Sequence, residues 1–178
     1  KIYSSYIEAG AQVIEANTFG ANPLKLKKYG LEDKIDEIIS EGIRLARKAA
    51  GDKAYIAGSI GPLGEIISPR GELSVVEGKK AFQKQIEVLE ENSVDLFILE
   101  TFRDINELLL AVETVREISS LPIIASLSFT EDGLTFYGET IQEIVKKLNQ
   151  SAADVIGTNC SLGPKPMLEI ASRIVQFS

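Results

Sequence analysis

Apolar residues along this chain alternate between two spacings. Short unbroken runs such as Leu96-Phe97-Ile98-Leu99 and Ile123-Ile124-Ala125 give way to longer stretches in which apolar positions recur every three or four residues. The first spacing predicts parallel strands covered on both faces, and the second predicts helices with one buried stripe. A short helix from Tyr3 to Ala9 ends at Gly10, and Gln12 to Phe19 reads as the first strand. Asn22-Pro23 starts a short helix that Gly30 closes, because Asn caps well and Pro is preset for a first turn. A longer helix from Glu32 to Ala50 puts Ile35, Ile38, Ile39, Ile43 and Ala46 on one face.

The same alternation continues to the end of the chain. The second strand is Ala54 to Ser59, and a Gly- and Pro-rich loop follows as far as Leu73. Ser74 with Glu77 has the spacing of a capping box and predicts a helix to Asn92. Asp95 to Glu100 is the third strand, and Asp104 with Glu107 predicts a second cap. Its helix carries Ile105, Leu108, Leu109, Val112 and Val115 on one face. The fourth strand is Ile123 to Phe129, opened by Pro122. Thr140 with Glu143 caps the next helix, to Ser151. Asp154 to Cys160 is the fifth strand, and a last helix runs from Pro166 to Phe177. Strand–helix alternation leads to an open doubly wound sheet or a closed (β/α)₈ barrel. Length alone favours the open sheet, since a barrel usually needs about 250 residues. The chain opens on Lys1 inside a helix and stops at the end of another, so it reads as one domain, 1–178, cut from a longer polypeptide.

Composition narrows the chemistry. The 178 residues include 19 Lys plus Arg against 26 Asp plus Glu, a formal charge of −7, with no basic block. That argues against nucleic acid or an anionic membrane as partner. No apolar run approaches the length of a membrane span. The single cysteine, Cys160, excludes an intrachain disulfide and fits a reducing, cytoplasmic setting. Histidine is absent, so Ser–His and Cys–His dyads, His-ligated metals and a His base are excluded within this chain. No glycine run has the spacing of a dinucleotide or phosphate loop.

Each strand ends in small or polar residues: Asn17-Thr18, Gly58-Ser59, Glu100-Thr101, Ser126 with Ser128, and Asn159-Cys160. In parallel α/β folds these ends share one rim, where ligands bind. Glu100 follows an apolar run, and a carboxylate there needs a cation or several donors. It serves either a substrate ammonium group or a neighbouring loop's N–H groups. Cys160 is a nucleophile, a soft-metal ligand or a core thiol. Zinc would need further thiolates from outside these residues.

At these residues the chain resembles the homocysteine S-methyltransferase family, which includes the homocysteine-binding module of cobalamin-dependent methionine synthase. The resemblance rests on Glu15-Ala16-Asn17-Thr18-Phe19-Gly20-Ala21-Asn22, Gly58-Ser59-Ile60-Gly61-Pro62, Leu99-Glu100-Thr101-Phe102 and Gly157-Thr158-Asn159-Cys160-Ser161-Leu162-Gly163-Pro164, in family order. It implies a (β/α)₈ TIM barrel of which strands two to six are present. It also implies methyl transfer to the zinc-bound thiolate of homocysteine, giving methionine. Cys160 would be a catalytic zinc ligand, Glu100 would hold the substrate amino group, and Asn17 and Thr18 would lie near the substrate. The family's Asp-Gly-Ala-Met-Gly and Gly-Gly-Cys-Cys stretches, the latter carrying the other two zinc ligands, do not occur here. The methyl donor would be methylcobalamin or a methylated folate, with S-methylmethionine and a betaine also open, and a fused reductase or cobalamin/folate domain is allowed. Two other readings stay open: a different barrel enzyme with Glu100 as general base and Cys160 structural, and a non-catalytic small-molecule binding module.

Overall fold

The computed structural model describes residues 1–178. Five strands form one parallel sheet in the order β1 (Val13–Glu15), β2 (Tyr55–Ile60), β3 (Leu96–Phe102), β4 (Ile123–Leu127), β5 (Val155–Thr158). Each strand joins beside its predecessor and the order never reverses. A doubly wound sheet would reverse about its first strand, so the sheet is an arc of a barrel. The helices are α1 (Ile2–Glu8) before β1, α2 (Pro23–Lys27), α3 (Ile35–Ala50), α4 (Val75–Glu91), α5 (Ile105–Ile118) and α6 (Ile141–Asn149) between the strands, and α7 (Pro164–Phe177) after β5. None is long and apolar enough to cross a membrane.

The helices follow from their sequences with three local differences. Asn22 accepts the Lys25 N–H at 2.9 Å and starts α2, as its Asn-Pro pair predicts. Ser74–Glu77 and Thr140–Glu143 both form complete capping boxes. Asp104 caps α5 by accepting the Asn106 N–H at 2.8 Å, but Glu107 does not reach back to close a box. Instead its carboxylate crosses to the loop after β2 and accepts the Leu63 N–H at 2.7 Å. That loop has its own orphan backbone donor to satisfy, and Glu107 meets it. The last helix begins at Pro164, two residues earlier than expected, because proline suits a first turn. The residues from Glu32 to Lys34 form a 3₁₀ turn leading into α3, whose Ile35, Ile39, Ile43 and Ala46 are buried.

β1, β3, β4 and β5 end differently from their expected runs, β4 stopping at Leu127, two residues short of Phe129. β1 stops at Glu15 because the chain then folds over the end of β2: Thr18 N–H donates to Ala16 O at 2.8 Å, and its hydroxyl to Ser59 O at 2.8 Å. β5 stops at Thr158 because Cys160 and Ser161 take left-handed backbone angles, φ 57° and 62°. β3 runs on to Phe102 through a register shift between Leu99 and Phe102. Such an irregularity re-aims the side chains beside it.

Pairing register decides which side chains share the concave face. Glu15 lies opposite Ala57, Ser59 opposite Ile98, and Ser126 opposite Gly157. Side chains alternate along a strand, so Glu15, Ser59, Ile98 and Glu100 all point to one side. Phe97 and Leu99 point to the other, where they are sealed beneath the helices. The concave face is not sealed to the same degree: Leu96, Ile98 and Glu100 are half-buried. The expectation of strands covered on both faces therefore holds on the helical side and only in part inside the arc. Gly157 is required there, since a Cβ would lie 2.7 Å from Ser126 Oγ.

Burial pushes the Glu107 carboxyl up to about 7, against the opposing pull of the Leu63 N–H and Lys25. A carboxyl whose pKa is higher folded than unfolded binds more protons in the folded state between the two values. Its stabilising contribution is full below about 4.5 and is lost as pH rises through about 7. We expect the unfolding free energy of the wild-type chain to fall by roughly 2–3 kcal/mol more than that of Glu107→Gln between pH 5 and pH 8. Glutamine keeps the acceptor for Leu63 and does not titrate. Urea unfolding across that range tests this, and parallel pH profiles would remove the shift from Glu107.

Candidate functional site

Polar side chains converge on Glu100 at the C-terminal rim. Its Oε1 accepts the Ser59 hydroxyl from β2 at 2.7 Å, and its Oε2 accepts the Asn159 amide at 3.2 Å. Asn159 follows β5, so its side chain reaches past β4 to meet β3. The curvature of the arc makes that reach short. The same amide grips Thr101: the Thr101 N–H donates to Oδ1 at 2.9 Å, and Nδ2 donates to the Thr101 hydroxyl at 2.8 Å.

Thr101 needs this grip. Its φ of 63° lies in the left-handed region, which a β-branched residue rarely occupies. Such a conformation costs on the order of 1–3 kcal/mol and persists only where surrounding contacts over-determine it. Three left-handed residues, Thr101, Cys160 and Ser161, thus meet at one point of the rim. Ser161 is tied down by its hydroxyl, which donates to Phe129 O at 2.8 Å. Cys160 is exposed, with its Sγ 3.6 Å from the Thr101 hydroxyl and 3.5 Å from Asn159 Nδ2. One hydroxyl therefore lies between the Glu100 carboxylate and the Cys160 sulfur, 3.5 Å from the former.

On the other side of Glu100 lies Glu15. Partial desolvation, then repulsion from Glu100 and a hydrogen bond to it, hold the Glu15 carboxyl above its usual range. Glu15, Asn17, Ser59 and Glu100 line a cavity of about 1010 Å³ beside β1. A second cavity of about 460 Å³ lies over Cys160, Thr101 and Arg103, walled by Phe129 and Phe136. The carboxylates and the thiol thus face adjoining spaces along one rim.

Of the residues singled out in the sequence, Glu100 and Asn17 share the first cavity and Cys160 opens on the second. Thr18 stands apart. It is 1% exposed, and its hydroxyl is spent on the Ser59 carbonyl, beneath the residue that holds Glu100. Glu15, Ser59, Thr101 and Asn159 received no separate role from the sequence. Strand parity alone could have found Glu15, which sits two positions before Asn17. Asn159 could not have been found that way, because its partners lie two strands away. Gly61 contributes through its lack of a side chain: a Cβ would lie 2.3 Å from the Phe19 ring, which packs between the loops after β1 and β2. For a metal, the chain itself offers one thiol, and no three of its Cys, Asp or Glu residues converge.

Comparison with known proteins places this geometry. Methionine synthase of Mycobacterium tuberculosis (strain ATCC 25618 / H37Rv) is 28% identical over 179 residues, covering 94% of this chain and 15% of that protein. The Mycobacterium leprae (strain TN) methionine synthase matches at the same 28%. The chain spans about 15% of the length of these curated relatives. Among solved structures, the metallated form of the Escherichia coli homocysteine methyltransferase MmuM superposes with a TM-score of 0.88 at 20% identity, covering 99% of this chain and 67% of that one. A monomeric dihydrodipicolinate synthase variant superposes with a TM-score of 0.53 at 10% identity, covering 98% and 51%. The fold is a partial (β/α)₈ barrel, five consecutive strand–helix units of it. The sequence model of the homocysteine S-methyltransferase family matches residues 1–178, from end to end, and the chain belongs to that family.

Proposed function

We propose that this chain is the homocysteine-binding part of an enzyme that transfers a methyl group to the substrate sulfur, giving methionine. The observation that carries the reading is the hydroxyl of Thr101, which touches both the Glu100 carboxylate and the Cys160 sulfur. A short amino acid with a thiol on its side chain has an ammonium group and a sulfur about that far apart. Glu100 takes the ammonium group, and both its oxygens are already held in place by Ser59 and Asn159. Glu15 supplies a second carboxyl beside it, held above its usual range by burial and by Glu100, and a cation arriving there relieves that repulsion. Asn17 lines the same cavity. Thr18 acts one step back, by fixing Ser59 from below.

Cys160 marks where the sulfur end lies. The donor set in this chain does not by itself make a zinc site, since it has one cysteine and no histidine. What it offers zinc is a single thiolate, and we propose that two further thiolates come from elsewhere in the polypeptide. Zinc bound there would keep a substrate thiol in its reactive thiolate form. In the transfer itself the sulfur attacks the methyl carbon. The new S–C bond forms as the bond from methyl to donor breaks, and the donor leaves with the electron pair. No side chain has to take a proton in that step, which suits a rim without histidine. The chain's part is to orient the substrate so that its sulfur meets the methyl group in line.

Two measurements on the full-length polypeptide test this. Glu100→Gln should weaken homocysteine binding by about 1.5–3 kcal/mol in calorimetry, the range for a hydrogen bond to a charged group. An unchanged dissociation constant would remove Glu100 from the site. Elemental analysis should find about one zinc per wild-type chain, and much less in Cys160→Ala, by the ligand count of such sites. Equal zinc in both proteins would make Cys160 an ordinary thiol and overturn the zinc part of the proposal.

A further inference from the structure

Helix α4 turns an apolar stripe of Ala81, Phe82, Ile86 and Leu89 inward, and one polar side chain stands in it. Gln85 is fully buried. Its Nε2 donates to Thr18 O at 2.8 Å and lies 3.5 Å from Ser59 O. With two carbonyl oxygens before it, the amide has to present its nitrogen, which fixes its orientation. Its own Oε1 is left buried without a donor. Satisfying the two carbonyls does not explain this residue. Thr18 O also accepts the Ala21 N–H at 2.9 Å, and Ser59 O accepts the Thr18 hydroxyl at 2.8 Å. A methionine would fill similar space with no orphaned acceptor, so packing alone favours an apolar residue here. What the amide adds is a link between the turn after β1 and the end of β2. From there the Ser59 hydroxyl donates to Glu100 Oε1 at 2.7 Å. A continuous series of contacts thus runs from α4 through Thr18 and Ser59 to the Glu100 carboxylate.

We propose that Gln85 is a positioning residue for the substrate ammonium group, acting through Ser59 on Glu100 without touching the substrate. The inference rests on the homocysteine-binding reading and deepens it, by giving a role to a side chain on the helical side of the sheet. Glu100 lies past the last β2–β3 pair, Ile60 with Leu99, and within the register shift between β3 and β4. The ladder therefore leaves its carboxylate direction to side-chain donors, and Ser59 is one of the two. Gln85 holds the Ser59 backbone both directly and through Thr18, so that the hydroxyl meets Oε1 from one fixed point. A binding group is only as precise as the residues that lock it, and here the lock reaches back to α4.

The test is homocysteine affinity, by calorimetry at about pH 6, of the full-length polypeptide, where a carboxyl buried against two carbonyls stays protonated. Wild type is compared with Gln85→Met, Gln85→Glu, Ser59→Ala and Gln85→Met/Ser59→Ala, each first shown to be folded by circular dichroism. Gln85→Met keeps the length and removes the donor, and should bind about fivefold more weakly or worse. Because Gln85 acts through Ser59, the double variant should bind within about twofold of Ser59→Ala, whereas independent effects would multiply. Gln85→Glu should recover most of the loss, since the protonated acid donates as the amide does. Multiplying losses, a Met variant that binds like wild type, or a Glu variant as weak as the Met variant overturns the inference. If Gln85→Met does not fold, Gln85→Asn, whose amide stops one methylene short, takes its place in the cycle. Failure of both to fold makes Gln85 a residue of the fold alone and overturns the inference as well. A wild type without affinity for homocysteine refutes the proposed function itself, whereas normal affinity indifferent to Gln85 refutes only the positioning role.

Discussion

A carboxylate partly withdrawn from water has to be met by donors, and at this rim Glu100 sets the terms. Its two oxygens are satisfied from two different strands, by Ser59 at the end of β2 and by Asn159 beyond β5. No local segment could supply both. The pair is available only because parallel, sequential strands twist into an arc whose ends approach one another on the concave side. The register of each neighbouring pair then matters down to one residue, since a single slip would send Ser59 or Glu100 to the helical face. Packing of Phe97, Leu99, Ile56 and Ile60 against the helices holds that register.

Strain gathers where these constraints meet. The register shift in β3 lets Glu100 and Thr101 leave the regular ladder, and Thr101 takes a backbone angle that Asn159 secures from both its amide atoms. Cys160 and Ser161 take matching angles on the facing loop. The C-terminal rim thus gathers three of the chain's four non-glycine residues with positive φ, braced by hydrogen bonds from neighbouring loops. The sealed helical side is packed mainly with Leu, Ile, Val, Ala and Phe.

Charge is sorted along the same rim. Glu15 and Glu100 face one cavity, while Lys25 and Arg103 face another, with Thr101 standing between. An acidic chain places its two unpaired, ring-stacked cations together at one opening. Glu65, Asp104 and Glu107 line that second opening as well, so the two cations stand among carboxylates.

Much of this was legible in the sequence. Periodicity located every strand and helix, because apolar spacing reports local geometry that each segment holds on its own. The two complete capping boxes and the Asn22 cap were equally local. Glu100, Asn17 and Cys160 stood out by position, as polar residues ending apolar runs. What depended on partners far away in the chain could not be read. Glu107 looked like half of a cap, yet its carboxyl serves Leu63, because only the folded structure shows which orphan donor lies nearest. β1 and β5 looked longer than they are, because side-chain bonds from Thr18 and the left-handed turn at Cys160 break the ladder where propensity would continue it. Asn159 as the link between Glu100, Thr101 and Cys160 follows from barrel curvature, a property of five strands together that no single stretch encodes.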